Sequence, residues 1–276
     1  MKEQTSVLVS GIDETASAVA RMLFLEGYAV AIHQPVPPKT LRRRMAFSDA
    51  WYDGAATLDG IEARRVDLST DFLVGMRNRM FIPVLAYSAL EAERWPWDVI
   101  VDADAKDRSR DLVHSQAAMT IVLGPGAIAG TDCDLVIETG GPNAGAIIHK
   151  GSARGTSRQD RDRGSGAVFA AEKGLFSTER LIGETVAKNE PLATINASIV
   201  VSPMEGRIRG LQRRGRAVIT GDAVADIVPS PSAQVSGCGK GPQLIARGVV
   251  FALETEFEGL RPVALDHFLR GRSQRT

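Results

Sequence analysis

The feature that most limits what this chain can fold into is a repeat. Gly174, Phe176, Gly183, Val186, Ala193 and Ile195 return as Gly206, Ile208, Gly215, Val218, Ala225 and Ile227, each displaced by 32 residues. Six matches at one offset describe a duplicated structural unit. Each half is a set of short apolar, β-branched runs divided by glycine turns, the pattern of strands. Two such halves predict interlocking strand hairpins related by a pseudo-twofold.

This unit, residues 174–229, resembles the biotinyl/lipoyl-type barrel-sandwich hammerhead. Its connection Asn196–Ile208, NASIVVSPMEGRI, keeps the Pro203-x-x-Gly206 lead into the second half. The Met-Lys-Met tip of biotin carriers is missing, and no lysine lies between Asn189 and Gly206. The expectation is a barrel-sandwich module with no covalent biotin or lipoate.

The first 150 residues read differently. Ser6–Ser10 is a short apolar run, followed by Gly11, by apolar residues at near-helical spacing up to Gly27, and by a second run, Tyr28–His33. This β–Gly–α–β opening predicts a Rossmann-like α/β domain with a helix N-terminus beside Gly11. The fingerprint is degenerate, because Asp13 and Glu14 stand where a pyrophosphate would approach and His33-Gln34 where a ribose-binding acid belongs. Downstream, Asp59-Gly60 predicts a type I′ turn between Ala55–Leu58 and Ile61–Val66. Helical spacing follows over Asp71–Arg79, and strands over Phe81–Ala86, Trp97–Val101, Thr120–Leu123 and Leu135–Ile137. Residues 151–173 read as an exposed linker, and 230–276 as a helical tail containing Gln243–Phe257 and a shorter stretch at Val263–Leu269.

Three groups of residues suit an anionic ligand. Gly124, Gly126 and Gly130, with Pro125 among them, allow consecutive amides to turn toward one point; they suit a plain strand-to-strand turn as well. Arg42, Arg43 and Arg44 point in different directions on a helix, so that Arg43 or Arg44 is available for a bidentate grip on phosphate or carboxylate. A solvated helix start is the alternative for the same arginines. Ser48 and Tyr52 place hydroxyls one turn apart. Asp102, Asp104 and Lys106 follow a strand at its carboxyl end, where open α/β sheets bind ligands.

Charge and composition narrow the classes. The 33 basic and 33 acidic residues leave a net charge of +0, so no global field favours nucleic acid or an anionic membrane. No apolar run approaches the roughly 20 residues that span a bilayer, and the start lacks a secretory pattern, which predicts a cytoplasmic protein. Cys133 and Cys238 are far apart and the four histidines are scattered, which argues against a metal site. No nucleophile–base pair stands out, which favours a ligand-binding protein over an enzyme. An enzyme acting on a small anionic metabolite is the competing reading.

Taken in order, Gly11 and its helix, LRRRMAFSDAWYDG (Leu41–Gly54), IPVL (Ile82–Leu85), VDADAK (Val101–Lys106), LGPGAIAGTD (Leu123–Asp132), VIETG (Val136–Gly140), KGSA (Lys150–Ala153) and GDAVADIVP (Gly221–Pro229) resemble a family. It is that of the accessory proteins of selenium-dependent molybdenum hydroxylase systems, akin to xanthine dehydrogenase maturation factors. The resemblance implies a maturation role beside a molybdenum-containing oxidoreductase. It also implies an anionic cofactor, either molybdenum cofactor or a nucleotide, at Gly11, Arg43, Arg44, Ser48, Asp102, Lys106, Gly124, Gly126 and Gly130. The chain departs from the family at SGIDETA, at His33, at Asp104 and at Lys150.

Overall fold

The computed structural model describes residues 5–67, 69–86, 95–103, 117–154 and 166–257. They form a mixed α/β fold with one large, mostly parallel sheet and two smaller antiparallel sheets. Among the described residues the large sheet holds nine strands: β1 (Ser6–Ser10), β2 (Ala29–His33), β3 (Ala55–Leu58), β4 (Ile61–Arg65), β5 (Ile82–Leu85), β6 (Val99–Asp102), β7 (Met119–Leu123), β8 (Leu135–Ile137) and β9 (Ile147–Ile148). Their order is β3-β4-β5-β2-β1-β6-β7-β8-β9. Neighbours are parallel except at the edges, where β3 and β9 run antiparallel. Chain order reverses at β1, which lies between β2 and β6, and a crevice opens beyond the carboxyl ends of strands at such a point.

Alternation along the strands divides the side chains between two layers. Val7, Val9, Val30, Ile32, Val99 and Val101 face a core shared with helices α1 (Glu14–Glu26) and α4 (Lys240–Ala252). Leu8, Ala29, Ala31 and Ile100 face the opposite side, where they meet Phe81, Trp97 and Met76 of helix α3 (Ser69–Asn78). A short helix α2 (Ser48–Asp53) precedes β3. The Asp59-Gly60 turn has positive φ at both residues, as a type I′ hairpin requires.

The stretch between β7 and β8 is a crossover loop. These strands are parallel, and a parallel neighbour cannot be reached by the tight turn that the glycines also suggested.

The second part of the chain builds two four-stranded antiparallel sheets. One contains β10 (Ala167–Phe169), β17 (Ala223–Val228), β15 (Gly206–Leu211) and β12 (Thr185–Val186) in that order. The other contains β14 (Ser198–Val201), β13 (Pro191–Ile195), β11 (Gly174–Ser177) and β16 (Arg216–Val218). The repeat maps β11 onto β15 and β13 onto β17, and the halves exchange strands: β12 pairs with β15, while β16 pairs with β11. Phe176, Leu192, Ile195, Ile208 and Ile227 fill the core between the sheets.

After β17 the chain returns to the large sheet. Ile245, Val249 and Leu253 of α4 and its end share one buried cluster with Ala16, Val19 and Leu23 of α1. Each large side chain buried in that way stabilises the layer by about 1.5–3 kcal/mol. Much of the expected linker, and Val263–Leu269, lie outside the described residues, as do Asp104 and Lys106. Among the described residues no helix is long and apolar enough to cross a membrane.

Candidate functional site

Three consecutive arginines join the large sheet to the smaller sheets. Arg42 Nε donates to Asp226 Oδ2 at 2.6 Å and its Nη1 reaches the Glu14 carboxylate at 3.3 Å. Arg43 Nε donates to the Leu211 carbonyl at 3.1 Å, and its Nη1 meets both oxygens of Asp49. Arg44 Nη1 donates to the Ile182 carbonyl at 3.0 Å. Two backbone bonds reinforce this strap, Leu211 N to Leu41 O at 2.9 Å and Gly237 N to Arg44 O at 3.0 Å. Beside it, Arg213 bridges Asp49 and Asp53 and stacks 4.6 Å over Tyr52. The Tyr52 phenol pKa is raised, chiefly by burial, against the opposing pull of Arg216 and Arg213.

Above the strap lies a cleft of about 360 Å³. Its walls come from the start of α1 (Asp13, Glu14, Thr15), from Lys39 and Arg42, from Thr139–Gly141 after β8, from Asp226, and from the start of α4 at Gly241 and Pro242. The cations arrive with partners, since Lys39 Nζ lies 3.1 Å from Asp222 and Arg42 sits between Glu14 and Asp226. The Glu14 contacts, at 3.3 and 3.4 Å, are the long ones. An incoming anion therefore competes with Glu14 for Arg42 more readily than with Asp226.

Many backbone amides around the cleft are already engaged. Asp13 caps α1, its Oδ1 accepting from the amides of Thr15 and Ala16 at 2.9 Å. The side chain that would repel a phosphate thus fills the place a phosphate would take. Glu138 does the same after β8, where its buried carboxylate accepts from the amides of Thr139, Gly140 and Arg154.

The residues expected from sequence fall in different places. Gly11 follows β1, and its amide donates to His33 O at 2.9 Å. Arg43 and Arg44 lie along a separate depression with Asp49, Asp59 and Ser236. They do not share the cleft with the glycine loop; the strap engages them instead. Ser48 is buried, and its hydroxyl has no hydrogen-bond partner among the described residues. Asp102 ends β6 and is buried there, with Ala103 N donating to Ser10 O.

Gly124 adjoins the cleft through Thr139. It has φ 80°, and a Cβ built on it would lie 2.6 Å from Thr139 Oγ1. Its amide, however, donates to Ile137 O, and that of Gly130 to Cys133 O. Both glycines serve the crossover loop, and neither offers a free donor of the kind an anion nest requires. Gly126, φ 118°, lies in the same loop. The sequence reading missed Lys39, Asp226 and Gly241, and preferred Arg43 or Arg44 to Arg42; the fold brings these cleft residues together from three distant segments. Among the described residues no cluster of His, Cys, Asp and Glu has the grouping of a metal site.

Fold and site together define an α/β protein with a ligand-sized cleft between a mostly parallel sheet and a pair of strand-exchanged antiparallel sheets. The chain is 31% identical over 255 residues to the uncharacterized protein YqeB of Escherichia coli (strain K12), a match covering 90% of this chain and 47% of YqeB. It therefore spans about half the length of that relative. No protein-family model matches the sequence. A comparison with solved structures pairs 82% of this chain with 86% of the apo ectoine utilization protein EutE (DoeB) from Ruegeria pomeroyi, at 15% identity and a TM-score of 0.26.

Proposed function

We propose that this chain is an accessory protein of a molybdenum-dependent hydroxylase. It holds an anionic, pterin- or nucleotide-like cofactor non-covalently in the cleft between a Rossmann-like layer and a barrel-sandwich module. The observation that carries this reading is the cleft's position: beyond the sheet whose strand order reverses at β1, with Arg42, Lys39 and two helix starts on its walls. Leu41, Ala144 and Ile245 supply apolar surface for a ring, and the arginine and glycine-rich rim supplies polar contacts. The ordered resemblance of the Leu41–Gly54, Leu123–Asp132 and Gly221–Pro229 segments to molybdenum hydroxylase accessory proteins supports the partner. The exchange of strands between the two repeat halves supports the barrel-sandwich reading.

The test is retention. Molybdenum cofactor released from a purified molybdoenzyme is mixed with the protein, and the complex is followed by gel filtration with molybdenum and pterin analysis of the protein peak. Stoichiometric co-elution that Arg42→Ala diminishes is the expected result. Absence of both pterin and molybdenum from the peak overturns the reading. Turnover of the ligand would select the enzyme reading instead.

A further inference from the structure

Two guanidiniums converge on the turn before β12, and neither has a counter-charge. Arg44 Nη1 donates to the Ile182 carbonyl at 3.0 Å, and Arg207 Nε donates to the next carbonyl, that of Gly183, at 2.9 Å. Arg207 Nη1 also reaches the carbonyls of Pro231 and Ala233. Among the described residues these carbonyls are the hydrogen-bond partners of both side chains, and no carboxylate pairs with either. Their neighbours differ. Arg42 meets Asp226 and Glu14, Arg43 meets Asp49, and Arg209, two residues along β15 from Arg207, meets Asp226. The Glu184 carboxylate, next to the turn, faces Arg180 at 3.6 Å instead.

Gly183 lets the two cations come together with space left beside them. Its φ is 104°, and a Cβ built on it would lie 3.6 Å from Arg44 Nη1 and 3.6 Å from Arg207 Nη2. Both guanidiniums therefore border the open face of one glycine, and their carbonyl bonds fix how they point. Arg207 Nη2, and Nε and Nη2 of Arg44, donate to nothing among the described residues. Gly215 holds the matching place in the other repeat half, and its Cβ position has nothing within 4 Å. The arginine pair thus comes from the meeting of the strap with this turn, not from the repeat. Like charges held side by side favour an anion between them, and the spare N–H groups of two forks suit its oxygens.

We propose a second anion site here, separate from the cleft: a phosphoryl group, as inorganic phosphate or as a monoester, is gripped by Arg44 and Arg207 over the open face of Gly183. None of these three residues lines the cleft, so the site stands independently of the reading given to the cleft. Charge selects the ligand class. Two guanidiniums without a carboxylate carry two positive charges, which a phosphate of about −1.5 to −2 matches and a single carboxylate does not.

Calorimetric titration of the full chain with inorganic phosphate, glycerol phosphate and acetate at low ionic strength tests this. The expected result is binding of both phosphates, weakened roughly 10-fold or more by Arg44→Gln and by Arg207→Gln and unchanged by Arg42→Ala. Arg44 is exposed and gives up a single carbonyl bond, so Arg44→Gln keeps the fold and carries the test alone if Arg207→Gln unfolds. Arg44→Lys, which retains the charge without the fork, should lose less than Arg44→Gln. Where Arg44→Gln weakens both phosphates, the tighter of the two identifies the source as a monoester or the free ion. Equal phosphate affinity in wild type and Arg44→Gln overturns the proposal. Binding that Arg42→Ala abolishes and Arg44→Gln leaves intact does so too, and moves the phosphate to the cleft. Failure of both phosphates to bind, or acetate binding as tightly as phosphate, also overturns it.

Discussion

Arg42 Nε lies 2.6 Å from Asp226 Oδ2, and Arg209 Nε meets the same oxygen at 2.8 Å. One carboxylate on β17 thus neutralises two guanidiniums at the junction between the large sheet and the smaller ones. With side-chain exposures of 16% for Arg42 and 11% for Asp226, the pair is well shielded from solvent.

Removing the shared carboxylate takes from Arg42 its shortest ion pair, leaving the longer contact with Glu14, and takes the same partner from Arg209. Asp226→Ala is expected to cost about 3 kcal/mol, the lower end of the range for breaking a buried pair. Urea unfolding measures it directly. A loss below about 0.5 kcal/mol, typical of a surface substitution, would mean that the strap does not hold the sheets together.

Helix α4 crosses the segment before β9 so closely that a side chain has no room. A Cβ at Gly248 would lie 2.1 Å from the Gly145 carbonyl oxygen. Gly248→Ala is therefore expected to destabilise by about 1–3 kcal/mol or more through overpacking, despite the better helix propensity of alanine. Gly241→Ala, with open space around its Cβ, should leave the melting temperature unchanged or raise it. Equal melting temperatures for the two variants would contradict the observed approach of α4.

Burial, and then the nearby Asp59 carboxylate, push the Cys238 thiol up to about 11. At pH 8 almost none of it is thiolate, and the thiolate is the reactive form. Iodoacetamide should leave Cys238 unmodified in the native protein and alkylate it after unfolding, as read by peptide mass spectrometry. Rapid alkylation of the native protein would show that the segment around Cys238 opens readily.

Glu190 is held below the ordinary carboxylate value of 4.5, first by the Ala187 amide and then by Arg180. Because its folded pKa lies below the unfolded one, its contribution is fully present above the unfolded value. It is lost as the pH falls through the lowered folded value. A carboxylate titration by NMR should place Glu190 below other exposed glutamates. Glu190→Gln should weaken the Ala187–Glu190 turn at neutral pH and make no difference at the acid end. An ordinary Glu190 titration would remove the role assigned to that turn.

What the sequence determined by itself was local. The repeat offset of 32 residues, the Asp59-Gly60 turn, the helix ending at Gly27 and the apolar runs of the parallel strands follow from periodicity and turn chemistry, which act within a few residues. Those signals located most strands of the large sheet and the helix at Gln243–Phe257, and marked the two repeat halves without bounds for their strands. Tertiary structure decided which of the candidate groups meet. Arg42, Arg43 and Arg44 are adjacent in sequence, yet one lines the cleft while the other two bind the smaller sheets and Asp49. Gly241 and Thr15 share a wall of the cleft only because α4 returns across the large sheet to pack on α1. The use of an amide is likewise invisible in sequence: Gly124 suits an anion nest by composition, but its donor is engaged by Ile137 once β7 and β8 lie parallel. Propensity names the residues that can bend or bind, while the long-range pairing of strands and helices determines which of their polar groups remain open to a ligand.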